Sequence, residues 1–202
     1  MTYFVLTTTT VFLLLSFFLY DLIRWPIFAG HPLIAPRFWE GFEIVPVILL
    51  SYVFLGIYNN LIAGIYIEKK TTRLPLVTIT AALVHVAANF LLIPPLGLMG
   101  AAWATLLSYL LMAGMMYGIV QRVYPIRYES ARLAKIAVAA AAVYAISLLT
   151  GEGLVALLVK AGLTGLFVAL LAGMRFFEPG EWAAARRLLR LARPVQKPRA
   201  ES

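Results

Sequence analysis

Six apolar stretches, each near the length that crosses a lipid bilayer, constrain this chain more than any motif within it. They cover about residues 3–23, 44–67, 76–93, 98–120, 133–149 and 154–177 of the 202. A helix rising 1.5 Å per residue needs ~20 residues to traverse a hydrocarbon core ~30 Å thick. Composition agrees: 62% of the residues are hydrophobic and only 13% charged, where an average soluble chain is about a quarter charged. The prediction is an all-α integral membrane protein with six transmembrane helices. The sequence has no cysteine, which excludes disulfides and thiolate metal sites or nucleophiles.

The third and fourth stretches meet at the run NFLLIPPLGLMGAAWATLLSY, residues 89–109. Proline removes a backbone donor, so Pro94 and Pro95 are expected to end the incoming helix. Gly97 and Gly100 let the chain reverse, and Ala101, Ala102 and Ala104 give the outgoing helix a narrow face that a neighbour can approach closely. The run therefore reads as a hairpin of two membrane helices.

Charge sets the orientation. The net charge of +8 could suggest a nucleic-acid partner, but its distribution does not. With the start of the first helix in the cytoplasm, all 17 Lys and Arg residues except Arg24, Arg37 and Lys160 fall on the cytoplasmic side. This asymmetry is the positive-inside pattern, and it places both termini in the cytoplasm. The first stretch lacks a basic start and a small-residue cleavage site, so it is expected to be a retained helix and not a signal peptide. Between Arg24 and Glu43, Trp25, Phe38, Trp39 and several prolines suit a short structured segment at the lipid headgroups.

The C-terminal segment differs from the rest. Over residues 178–193, Arg186, Arg187, Arg190 and Arg193 share one arc at helical spacing, opposite Leu188, Leu189 and Leu191. An amphipathic helix lying on the anionic inner leaflet is expected, binding membrane lipids through those arginines. Residues 194–202 are expected to be a disordered tail.

Polar side chains inside membrane helices cost free energy unless they face protein or water. Thr78, His85 and Asn89 recur at spacings that place them on one stripe of the third helix. Two readings are open: they line a hydrated cavity that meets a polar substrate, or they make interhelical hydrogen bonds. Asn59 and Asn60 on the second helix, and Thr105 and Tyr109 on the fourth, admit the same pair of readings. Thr7 to Thr10 are expected to bond back to carbonyls one turn earlier. Lys160 lies well inside the sixth stretch; it either snorkels to the outer surface or offers a cation to a central cavity.

Catalysis has little support. His31 and His85 stand far apart in the sequence, Glu68 and Glu129 fall at helix ends, and no nucleophile–base pair, ligand-spaced metal cluster or phosphate-cradling glycine loop occurs. The chain is expected to be neither an enzyme nor a holder of metal or cofactor, which leaves transport or a structural role in the membrane.

The runs FWEGFEIVPVILLSYVFLGIYNNL (residues 38–61), KKT (69–71), NFLLIPPLGLMGAAWAT (89–105) and YPIRYE (124–129), in that order, resemble the C-terminal half of a bacterial polysaccharide or O-antigen flippase. Such flippases belong to the multidrug/oligosaccharidyl-lipid/polysaccharide exporter superfamily. The likeness is clearest over residues 38–130. It implies one six-helix lobe of a two-lobed, MATE-like transporter in the bacterial inner membrane. The substrate would be a polyprenyl-diphosphate-linked oligosaccharide, moved across by alternating access. Asn89, Pro94, Gly97, Gly100, Ala101, Ala102 and Thr105 match the pattern; His85 stands where relatives tend to have asparagine and would make that position pH-dependent.

On this reading the chain is one part of a longer frame whose N-terminal lobe supplies the other wall of the cavity. A homodimer is the alternative. Two further functions remain open: a drug or metabolite antiporter of the same superfamily, and a non-transporting scaffold of a glycan-synthesis complex.

Overall fold

The computed structural model describes residues 1–24, 26–28, 31–32, 34–67, 71–123, 129–150, 154–174 and 176. Six α-helices follow one another: α1 (Thr2–Arg24), α2 (Val45–Ile67), α3 (Leu74–Leu96), α4 (Leu98–Val123), α5 (Ser130–Ser147) and α6 (Leu154–Gly173). Among the described residues, the first five contain stretches long and apolar enough to cross a membrane, consistent with a multi-pass integral membrane protein. In α6 the apolar part with a described interior is shorter, Leu158–Gly173. The amphipathic helix expected over residues 178–193, with Arg186, Arg187, Arg190 and Arg193, lies outside the described residues, as does the 194–202 tail.

The prolines sit largely where a helix tolerates them. Pro46 and Pro75 are the second residues of α2 and α3, where an N–H would have no helical acceptor. Pro94 and Pro95 behave differently from expectation: α3 continues through both and ends at Leu96. Two lost donors near a C-terminus cost little when the turn after them still closes, and here the Gly97 amide bonds the Ile93 carbonyl at 2.8 Å. Gly97 is what terminates α3. Its φ of +56° lies in the region that disfavours side chains, and it is the one positive-φ glycine among the described residues. Its carbonyl then accepts from the Gly100 amide at 3.0 Å, so one residue closes α3 and opens α4.

The connection between α1 and α2, expected to be a short structured segment, contains a small two-stranded element. Strands β1 (Pro26–Phe28) and β2 (His31–Pro32) pair antiparallel, followed by a 3-10 helix over Pro36–Phe42. Trp39 donates its indole N–H to the Ile34 carbonyl at 2.9 Å, and the Ile34 amide bonds the Ile23 carbonyl at 3.4 Å, which ties this segment to the end of α1. At the other extreme α6 stops at Gly173 and not near residue 177. The chain turns there through the Phe176 amide, which bonds the Leu171 carbonyl at 3.0 Å, and the Phe176 ring is fully buried.

The helices form two packed groups. In one, α1, α5 and α6 surround a bulky core that includes Leu13, Phe17, Ile136, Val143, Phe167 and Leu171. In the other, α4 packs between α2 and α3 around Leu61, Ile65, Val77, Ala113, Met116 and Val120. Helix α1 also packs against α2, which joins the groups. Only Val77, Ala81 and Ala88 of α3 are buried, a single helical stripe against α4; Leu83, Phe90 and Leu91 on its other faces are open, Phe90 by 78%. Large exposed apolar side chains along a helix of this length match a lipid-facing surface.

Candidate functional site

Local hydrogen bonding accounts for most of the intramembrane polar residues. Thr78 is exposed and donates to the Leu74 and Pro75 carbonyls at 3.2 and 3.1 Å. Asn89 donates to the His85 carbonyl at 2.9 Å, Asn60 to the Gly56 carbonyl at 3.0 Å, and Thr105 to the Ala101 carbonyl at 2.9 Å. Thr7, Thr8 and Thr10 do the same on α1. Each group satisfies a donor without a partner helix, so none of these bonds by itself joins one helix to the next.

Two contacts cross from α4 to its neighbours. The His85 Nδ1 lies 3.1 Å from the Ser108 Oγ, linking α3 to α4. The Ser108 hydroxyl is buried and lies 2.7 Å from the Ala104 carbonyl, to which it can donate; if that bond takes its hydrogen, the imidazole Nδ1 is the donor to Ser108. On the adjoining surface Tyr109 of α4 meets Tyr52 of α2, with ring centroids 6.3 Å apart. Asn59 is exposed. The stripe expected along α3 thus separates into an exposed Thr78 and a half-buried His85–Asn89 pair flanking the α3–α4 seam.

Helix approach at the hairpin is governed by Gly100. A Cβ there would lie 2.1 Å from the Leu92 carbonyl oxygen and 2.5 Å from its carbon, both backbone atoms that cannot swing aside. Gly56 has a gentler constraint, since its Cβ would meet the Phe4 ring at 2.7 Å. Pro94, Pro95, Gly97 and Gly100 are therefore architectural in a specific sense: two prolines ride in the last turn, one glycine makes the reversal, and the other lets α4 lie against the α3 backbone.

Lys160 is neither snorkelling alone nor presented as a lone cation. Its Nζ lies 2.7 Å from the Asp21 Oδ2, with both side chains mostly buried. This pair ties α6 to the far end of α1. The opposite end of α1 is tied as well, through the Thr2 hydroxyl to the Glu129 Oε2 at 2.8 Å. Glu129 also meets Arg132 at 3.4 Å, and the Arg132 guanidinium sits 5.5 Å from the centre of the Phe176 ring.

Two cavities lie along the seam between α1, α5 and α6 on one side and α2 on the other. The first, of about 650 Å³, is at the end where α1 finishes and α2 begins; Ser16, Glu43, Pro46, Tyr144, Ser147, Thr150 and Lys160 are among its walls. The second, of about 490 Å³, is apolar, walled by Val5, Phe12, Pro46, Leu50, Val53, Phe54, Trp103, Ala140, Ala141 and Tyr144. Pro46 and Tyr144 belong to both, so polar and apolar spaces adjoin. Both volumes fall in the ~300–1,000 Å³ range of small-ligand sites. Of the candidate cavity-facing residues read from the sequence, Lys160 alone lines either space among the described residues; Thr9, from the threonine run of α1, is a wall of the second.

Asp21, Ser16, Glu43 and Ser108 were not singled out as site residues. A signal for the first existed: Asp21 and Lys160 are opposite charges near the same predicted membrane surface. No sequence pattern indicates how α3 is rotated to bring His85 to Ser108. Among the described residues no group of three or more His, Asp or Glu is placed to hold a metal ion. Comparison with known protein families, curated proteins and solved structures finds nothing that matches this chain.

Proposed function

We propose that this chain forms one lobe of a flippase that carries polyprenyl-diphosphate-linked oligosaccharide across the bacterial inner membrane. The observation that carries the proposal is the ordered likeness over residues 38–129, centred on the Pro94–Gly100 hairpin. The hairpin's geometry supports that reading, because the matched residues have a definite mechanical use: Gly97 makes the reversal and Gly100 admits backbone contact. The helical, apolar architecture also suits a transporter built from membrane-spanning lobes.

In this mechanism the protein makes and breaks no covalent bond. A second six-helix lobe, from the same reading frame or from another copy, faces this one, and rocking between them exposes the substrate alternately to each side. Thr78, His85, Asn89, Asn59, Asn60, Thr105 and Tyr109 are the polar candidates that α2–α4 of this lobe offer to the cavity, with Lys160 on α6. The positive-inside pattern of the sequence supports cytoplasmic termini, and the charge of the arginine-rich segment suits anionic lipid.

Deletion of the gene encoding the chain tests the proposal directly. Lipid-linked oligosaccharide should accumulate on the cytoplasmic leaflet, and the corresponding surface polymer should disappear. Normal surface polymer without accumulation would overturn it.

A further inference from the structure

We infer that the seam between α1 and α2 is a binding site for a single phosphoethanolamine phospholipid, with the headgroup in the polar cavity and one acyl chain in the apolar one. The inference stands apart from the flippase reading, since it needs only that the chain resides in a bilayer.

The shape of the space selects an amphiphile. A cavity of about 650 Å³ with charged and hydroxyl walls adjoins an apolar one of about 490 Å³, and Pro46 and Tyr144 are walls of both. A purely polar solute would leave the second space empty, and a hydrocarbon would strand the charges of the first. A phospholipid places each part of itself in matching surroundings, at the depth where α1 ends and a headgroup region is expected.

The charges select the headgroup. Lys160 uses one N–H on Asp21; an ammonium has three, so two remain for phosphate oxygens. The Ser147 and Thr150 hydroxyls donate to backbone carbonyls at 2.7 and 2.6 Å, which leaves their oxygens as acceptors. With the carboxylate of Glu43 on the same wall, the cavity is rich in acceptors for a donor-bearing cation. A primary ammonium offers three N–H groups to them; a quaternary ammonium offers none, and a glycerol headgroup brings no positive charge to balance Glu43. The Ser16 hydroxyl, buried and without a partner in the structure, belongs to the same wall and adds a donor or acceptor.

The test is native mass spectrometry of the full chain, delipidated in detergent and titrated with phosphatidylethanolamine, phosphatidylcholine, phosphatidylglycerol and a polyprenyl phosphate. One phosphatidylethanolamine should bind per chain, on the order of tenfold tighter than the other two phospholipids. Glu43→Gln should erase the preference for ethanolamine over choline, and Ala141→Trp, which fills the apolar space from an exposed position, should abolish retention of all of them. Circular dichroism and gel filtration check that both variants remain folded. Equal retention of the three phospholipids, or full retention by a folded Ala141→Trp, would overturn the assignment. One-for-one displacement by polyprenyl phosphate would also overturn it, by making the seam a groove for that lipid.

Discussion

The two helix groups hold together by different means. Around α1, α5 and α6 the core is built from large side chains, with Phe17, Phe167 and Phe176 almost wholly buried, and α1 is tied at one end through Thr2 to Glu129 and at the other through Asp21 to Lys160. Near its turn the α3–α4 hairpin relies on smallness: Ala88 is buried on α3 and Gly100, Ala102 and Ala104 on α4, with Gly100 against the Leu92 backbone and one His–Ser contact across the seam. In lipid there is little hydrophobic gain from joining helices, so both routes depend on close atomic contact. Bulk achieves it by filling space, smallness by removing it. The first tolerates adjustment of rotamers; the second brings backbones together and tolerates almost none.

That contrast can be broken first at Gly100. Gly100→Val should prevent α3 and α4 from closing, because its Cβ overlaps the Leu92 backbone; the expected cost exceeds the ~1–3 kcal/mol typical of core overpacking. Protease accessibility of the hairpin in detergent reports it, and a variant as resistant as the parent would refute the close-approach account. Phe167→Ala should come next. It removes a fully buried ring and should lower the unfolding free energy by about 3 kcal/mol, the low end for such truncations, because the transfer part is reduced in a lipid reference. Unfolding in graded SDS measures it, and a loss near zero would mean the bulky core is not what holds that group.

The ionic tie sharpens the comparison further. Lys160→Gln should cost about 1–3 kcal/mol by leaving Asp21 without its cation. The double variant Lys160→Gln with Asp21→Asn should recover much of that, and a double-mutant cycle isolates the coupling. Additive losses would show that the pair contributes nothing as a pair. The smallest effect is expected at the seam: Ser108→Ala should cost about 0.6–2 kcal/mol, the range for interhelical hydrogen bonds in membranes. Thr78→Val, which removes only a bond internal to α3, serves as the near-zero control in the same unfolding assay.

Helix number and the existence of the hairpin were legible because length and hydropathy are local properties. The end of α3 was not. Proline's lost donors suggested Pro94, but a helix's last turn has spare carbonyls, and the stop was set by the backbone angles of Gly97. Likewise the apolar run continues past Gly173, where α6 stops, and nothing in it announces that Phe176 folds back beneath Arg132. Lys160 illustrates the limit for site residues. Its unusual position stood out, yet its partner lies on α1, 139 residues away; depth in the membrane could have paired them, while helix rotation could not be read. The cavities were invisible for the same reason, since they arise from angles between helices.

The one-residue reversal at Gly97 carries a consequence for how the chain is made. Two helices separated by so little backbone have no slack to occupy opposite states, with one threaded across the bilayer and the other still waiting in water. They are suited to enter lipid together as one folded U, and a tag placed at the turn to report sidedness would need a flexible linker long enough to leave Gly97 its backbone angles.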